Sequence, residues 1–393
     1  MVNKKFLWEV TTWDKRFSGI DKSMQPKVIK YHYYLAKELK EIEQEDGDIR
    51  ILYTTEEEAY TNRENVGDNI SSGEIVAIPW GGNASVKYFN GEFVTADNRI
   101  ATSSNTDILL NKYLYYWMLS HLDELESYYR GAGIKHPSMY SVLTMEITIP
   151  DLKIQQDIIT KLDNITSLIS NLNKEIKLTK KQFEHYRDTL LDFEGRKDVE
   201  WKTIGDLFVF KNGLNKGKEY FGKGYPIVNF TDVFNNPSIK EETLKGKVDV
   251  NAKEISNYQV HRGDVFFTRT SETQSEIGMA SVMLDEISNC VFSGFVLRAH
   301  PITDKLLPEY CAYCFSDKRI RSYIVRYSSF TTRALTSGAR LSKIPIPIPS
   351  IEEQEHIVNI LDSFTTLISK LEEERDLHQK QYEYYREKLL TFE

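Results

Sequence analysis

Residues 150–194 and 349–393 are two copies of one segment. Sliding the chain on itself by 199 positions aligns Pro150 with Pro349 and runs to Glu194 and Glu393 without a gap, with 21 identities over 45 positions. Among them are Gln155/Gln354, Leu162/Leu361, Asp163/Asp362, Leu168-Ile169-Ser170/Leu367-Ile368-Ser369, Tyr186/Tyr385 and Arg187/Arg386. Identity at this level is the mark of an internal duplication, and it limits the folds open to the chain.

The spacing of apolar residues gives each copy its structure. In the first, Leu162, Ile165, Ile169, Leu172, Ile176, Thr179, Phe183, Tyr186, Leu190 and Phe193 alternate steps of three and four. The second keeps the frame with Leu361, Phe364, Ile368, Leu371, Arg375, His378, Tyr382, Tyr385, Leu389 and Phe392. A narrow seam held for about four heptads without interior Gly or Pro predicts a long coiled-coil helix. Each start is signalled, by Pro150-Asp151 and by Pro349-Ser350, where Ser350 and Glu353 have capping-box spacing. About 42 residues at ~1.5 Å each make a rod of roughly 60 Å. A single apolar stripe needs a partner, and each copy is the natural mate of the other. The domain-sized segment between them lets the chain return for an antiparallel pairing, with a parallel one left open by sequence. Thr179, Arg375 and His378 interrupt the seams, as a partly solvated layer or as a device that sets register.

The chain therefore divides as domain (1–146), helix (147–196), domain (197–343), helix (344–393), with the halves expected to relate by a pseudo-twofold axis. A weaker echo joins the domains. Ser72-Gly73-Glu74-Ile75-Val76 resembles Arg262-Gly263-Asp264-Val265-Phe266, a turn opening a strand. Each is followed by an aromatic helical run, KYLYYWMLSHL from Lys112 and PEYCAYCFSDK from Pro308, and then by a basic loop containing glycine. The expected class is α+β.

Charge is informative only by segment. The total of −8 hides −6 over 1–146, −1 over 147–194, +5 over 195–343 and −6 over 344–393. The excess is concentrated in Lys318–Lys343, with seven Lys or Arg and no acid. With 40% hydrophobic and 27% charged residues the composition is that of an ordinary globular protein. No run has signal-peptide or membrane-span character, so a cytoplasmic chain is expected. Cys290, Cys311 and Cys314 read as apolar core residues.

Two duplicated helices, one preceded by Ile346-Pro347-Ile348-Pro349 and Glu353-Gln354 and each trailing a divergent domain, resemble the specificity subunit of type I DNA restriction–modification systems. The first copy departs from this motif at Thr148 and Ile154 but keeps Pro150 and Gln155. The resemblance implies two target recognition domains that each read one half of a split, asymmetric site in double-stranded DNA. It also implies helices that space the readers and dock two adenine methyltransferase (modification) subunits, with restriction/translocase subunits joining them. A stiff rod suits that task, because DNA repeats about every 34–36 Å.

Reading bases takes Arg, Lys, Asn, Gln, Ser or Thr at a groove edge, while cations on phosphates supply affinity. In the second domain the candidates are Thr331, Thr332, Arg333, Ser337, Arg340 and Lys343 in the loop before the helix. Arg269, Thr270 and Ser271 at a strand end, and Lys211, Asn212, Lys216 and Lys218 join them. In the first domain they are Trp80 (read as core ahead of groove wedge), Asn83, Ser85 and Lys87 on a hairpin, and Arg130, Lys135, His136 and Ser138. The acidic stretch Glu41–Glu58 is expected to face away from a duplex.

No catalytic constellation assembles. Two adjacent prolines, as in the adenine-methyltransferase motif, do not occur, and GLNKGKE from Gly213 is not a phosphate loop. The expected molecule is non-catalytic on its own and takes no cofactor or metal. A coiled-coil scaffold that binds only proteins is the rival expectation, and an enzyme with an unrecognised site is a third.

Overall fold

The computed structural model describes residues 3–55 and 57–391. Phe392 and Glu393, which end the second repeat, and Glu56 of the acidic stretch lie outside the described residues. The chain forms two compact units, Met1–Asn173 with Glu373–Glu393, and Lys174–Glu372. Each holds one mixed domain and one half of each long helix.

The helices span Leu152–Leu190 and Ile351–Leu390. Their pairing is read within each unit. In the first, Tyr382, Leu389 and Leu390 from the end of the second helix share a core with Ile158, Ile159, Leu162, Ile165 and Ile169 from the start of the first. In the second, Phe183 and Leu190 pack with Ile357, Val358 and Leu361. There Tyr186 meets the Phe364 ring at 5.2 Å, and Lys180 pairs with Glu372 at 2.7 Å. End meets start in both units, so the helices run antiparallel, and the parallel alternative falls. The heptad frame describes the buried side except at Tyr186 and Tyr385, which are exposed. Of the polar layer, Thr179 is buried, while Arg375 and His378 are half-buried and turn to Asp376 and Gln381. The capping box at Ser350 is half made. Ser350 Oγ accepts the Glu353 N–H, but the Glu353 carboxylate binds Arg196 instead of returning to the cap.

Both domains are built on one topology. In the first unit a six-stranded sheet has the order Thr11–Trp13, Asn98–Ser103, Ser71–Pro79, Lys87–Thr95, Ile49–Leu52, Ala59–Thr61. In the second a five-stranded sheet runs Phe208–Asn212, Val296–Pro301, Val265–Thr268, Ala280–Met283, Ser238–Ile239. In each, the first four strands pair antiparallel, and the fifth joins parallel. A separate two-stranded ribbon ties each domain to its helix: Asn3–Phe6 with Glu146–Ile149, and Glu200–Thr203 with Pro345–Ile348. The echo between the domains therefore marks truly equivalent strands, but its register is one residue out. Val76 lies opposite Ala101 and Val265 opposite Ala299, so Val76 matches Val265 and not Phe266, its counterpart in the sequence echo.

Two identities of the repeat act as clamps. Gln155 is fully buried; its oxygen accepts Leu110 N–H (2.9 Å), and its amide donates to Ile108 O and Pro150 O (both 2.8 Å). Gln354 repeats the set with Leu307 N (2.8 Å), Lys305 O (2.8 Å) and Pro349 O (2.9 Å). Asp163 and Asp362 likewise accept the phenols of Tyr116 and Tyr313. These tyrosines lie on the helices Asn111–Ser120 and Pro308–Ser316, which the aromatic runs predict. Cys311 and Cys314 on the latter are free, buried core thiols, and burial pushes Cys314 up to about 12.

Candidate nucleic-acid interface

In the second unit the strand Val265–Thr268 ends at Arg269 and continues as Thr270–Ser271. That short strand pairs with Ala334–Leu335, which in turn pairs with Ser329–Phe330. Two stretches separate in sequence thus form one three-stranded tip carrying Thr270, Thr332 and Arg333. Arg269 is braced from both sides. Its guanidinium donates to Gly294 O (2.9 Å), and its carbonyl accepts Thr336 N–H (3.0 Å). Gly294 N in turn donates to Leu214 O (2.8 Å). The Gly213 loop can approach this closely only without a side chain, since a Cβ there would lie 2.1 Å from Ser293 O. The loops at 213–216, 269–273, 293–295 and 329–337 therefore share one end of the sheet. Thr331 and Thr332 are exposed, Ser337 stands at the start of the short helix Gly338–Leu341, Arg340 donates to Tyr327 O (3.2 Å), and Lys343 is exposed.

Several cations are already engaged. Arg333 pairs with Glu272 at 3.0 Å on the surface, where exchange with a phosphate is cheap. Lys216 binds Asp249 O and Glu254, and Lys211 donates to Asn257 O beneath Tyr258, so both hold the loops together. Asn212 and Lys218 are exposed. The basic stretch from Lys318 is less free than its composition suggests. Lys318 and Arg319 bind Asp188, Asp192 and Asp317, and Arg321 is spent on the carbonyls of Ser275, Ile277 and Gly278. Burial lowers the Arg321 guanidinium to about 10.

The first unit repeats this plan with other residues. Its strand Ser71–Pro79 ends at Trp80, and a hairpin of Tyr129–Arg130 with His136–Pro137 lies beside it. His136 Nδ1 is 2.7 Å from Trp80 O with the rings 5.3 Å apart, and Gly82 N donates to Lys135 O at 3.0 Å. Trp80 is half-buried; its ring carries Arg99 on its face, 4.4 Å from the centroid, with Lys15 at 5.8 Å. Glu126 braces the tip by accepting Ala84 N–H and the Lys135 ammonium (2.7 Å). Those bonds hold its carboxyl below the ordinary range. Arg130 and Asn83 are exposed, Ser85 is half-buried, and Ser138 caps the helix Met139–Leu143. Lys87 departs from the group. It lies on another part of the sheet and donates to Tyr53 O. The acidic stretch contributes Ile49–Leu52 and leads into Ala59–Thr61, the two strands at the edge remote from Thr11–Trp13.

Sequence reading missed Lys15 and Arg16, which line a cleft with Trp80, Pro137, Met139 and Tyr140. It also missed Arg99, whose partner is the buried Asp14 (3.5 Å). Desolvation raises the Asp14 carboxyl despite bonds from Tyr33 and Ile100. Only the KR pair at 15–16 was visible beforehand, inside a segment of negative total charge. Among the described residues no group of His, Cys, Asp or Glu is arranged to hold a metal ion, and no helix is long and apolar enough to cross a membrane.

Comparison with known proteins agrees with this plan. The family described as "Type I restriction modification DNA specificity domain" matches residues 19–179 and 196–378. The Escherichia coli type I restriction enzyme EcoR124I/EcoR124II specificity subunit is 30% identical over 325 residues, covering 75% of this chain and 74% of its own. A putative Haemophilus influenzae specificity subunit, S.HindORF215P, is 26% identical, covering 85% and 88%. The crystal structure of a type I restriction–modification S subunit from M. genitalium shares the fold. Its TM-score is 0.63 at 13% identity, covering 100% of this chain and 97% of that one.

Proposed function

Because the chain belongs to the type I restriction–modification DNA specificity family, we propose that each of its two units reads one half of a bipartite site in double-stranded DNA. One observation carries the reading. The same end of the same topology, twice in one chain, gathers cations, hydroxyls and amides on loops that their own backbone bonds hold still. Fixed donors suit base edges, and the exposed cations around them suit phosphates. The chain acts by binding alone, in the cytoplasm, and delivers DNA to methyltransferase and restriction subunits.

The helices serve as spacer and docking surface. Off the seam they repeat exposed apolar residues at equivalent places, Leu168 and Leu367, Leu178 and Leu377, which suits helical partners in duplicate. The test is to map methylated adenines in cells expressing this chain with its modification subunits. A bipartite, asymmetric motif supports the reading. Binding to duplex DNA that is weak and indifferent to sequence would instead favour the protein-only scaffold.

A further inference from the structure

Among the described residues the two most exposed large apolar side chains are Phe295 (71%) and Ile134 (70%), and each stands on a candidate tip, one per unit. An exposed apolar residue by itself needs no explanation. These two differ from the rest in how they are presented. Phe295 follows Gly294, whose carbonyl holds Arg269 and whose N–H is held by Leu214, and its own N–H donates to Ser293 Oγ at 3.3 Å. A Cβ on Gly294 would fall 2.1 Å from Asn215 Oδ1, so the loop beneath the ring is closely packed. Ile134 stands on Gly81, where a Cβ would come 2.9 Å from Ile134 Cγ2, and its neighbour Lys135 is fixed to Gly82 N and Glu126. Each stands on a braced loop among hydrogen-bonding and basic groups; in the second unit Phe330 (52%) and Leu335 (44%), on the strands of the same tip, are exposed to a lesser degree.

A duplex offers one apolar feature on its base edges in the major groove, the thymine methyl group. Resting on the function proposed above, we infer that Ile134 and Phe295 are specificity-determining residues, each contacting a thymine methyl in its own half-site. The neighbouring polar groups of each tip then fix the flanking base pairs. The two half-sites differ because the apolar reader differs, branched and short in one unit, flat and aromatic in the other. Leu35, which is almost as exposed (69%), lies at the start of the helix Ala36–Glu41 in the acidic part of the first unit and has no such role.

The experiment uses the full chain with its modification subunits and duplexes carrying the mapped motif, in which single thymines are replaced by deoxyuridine. That change removes only the methyl group. One such replacement in each half-site should weaken wild-type binding about four-fold, the value of one buried methyl. Phe295→Ala should abolish that sensitivity in one half-site and Ile134→Ala in the other, while Leu35→Ala keeps both. All three variants should melt with the wild type. The inference is overturned if no thymine is sensitive, if the alanine variants keep the wild-type response, or if they lose it by melting early. A wild-type complex with no bipartite motif would instead bring down the function on which the inference rests.

Discussion

Replacing Gln354 should disable the second unit more severely than any exposed substitution. Its side chain satisfies one backbone N–H and two carbonyls in a place water does not reach. Gln354→Ala orphans all three and leaves a small void. Each unsatisfied buried group costs about 1–3 kcal/mol, and water entering the void recovers part of that, for a net loss of roughly 4 kcal/mol. For a unit of about 200 residues this lowers Tm by roughly 8–16 °C. Gln354→Glu separates hydrogen bonding from volume. A carboxylate cannot donate to Lys305 O and Pro349 O, so the folded state favours the protonated acid and raises its pKa above the unfolded value of about 4.3. The variant is then least impaired below the unfolded value and loses stability as pH rises through the raised one. Melts of wild type, Gln354→Ala and Gln354→Glu between pH 4.5 and 8 would show it, with hydrogen exchange at Leu307 as the local reporter. A Gln354→Ala chain melting within two degrees of wild type, or a Gln354→Glu chain with the wild-type pH profile, would refute the clamp.

Arg269→Ala removes the brace on Gly294 and, under the function proposed here, a donor to a base edge, so affinity for one half-site should fall by about 1–3 kcal/mol in binding titrations, with the other unaffected. Arg340→Ala should weaken binding to all sequences alike and reduce the salt slope by about one, as expected of a phosphate contact, and an unchanged slope removes it from the interface. Glu126 holds the first tip with a lowered pKa. That stabilisation is present above the ordinary carboxylate range and is lost as pH falls through the lowered value, so Glu126→Gln should flatten the acid limb of hairpin protection in hydrogen exchange. Inserting one heptad at equivalent points of both helices adds about 10 Å, and the mapped motif should gain about three base pairs of spacer with its half-sites intact.

The helices were legible because duplication and heptad spacing are both carried by residue identity. Gln155 and Gln354 were visible as identities too, but not their task, since two of the three backbone groups each one binds belong to a segment 45–49 residues earlier. The two sheet domains hid their common topology because strands need only alternate polar and apolar residues, and the echo at Ile75–Val76 slipped by one residue for that reason. The tips were half legible. Loops rich in Arg, Thr and Gly stand out, yet sequence cannot show that Lys318 and Arg319 are consumed by Asp188 and Asp192, about 130 residues earlier. Nor could it show that Trp80 supports a stacked Arg99.

The first unit is discontinuous, closed by residues 373–393, whereas the second is one unbroken stretch. During synthesis the second unit therefore has all its parts while the first still waits for its last helix half. A ribosome that stops near residue 372 releases a chain whose second unit is complete and whose first lacks Tyr382, Leu389 and Leu390 from its core. Such a product would leave Ile158, Leu162 and Ile169 of the first helix without the side chains that cover them in the whole chain.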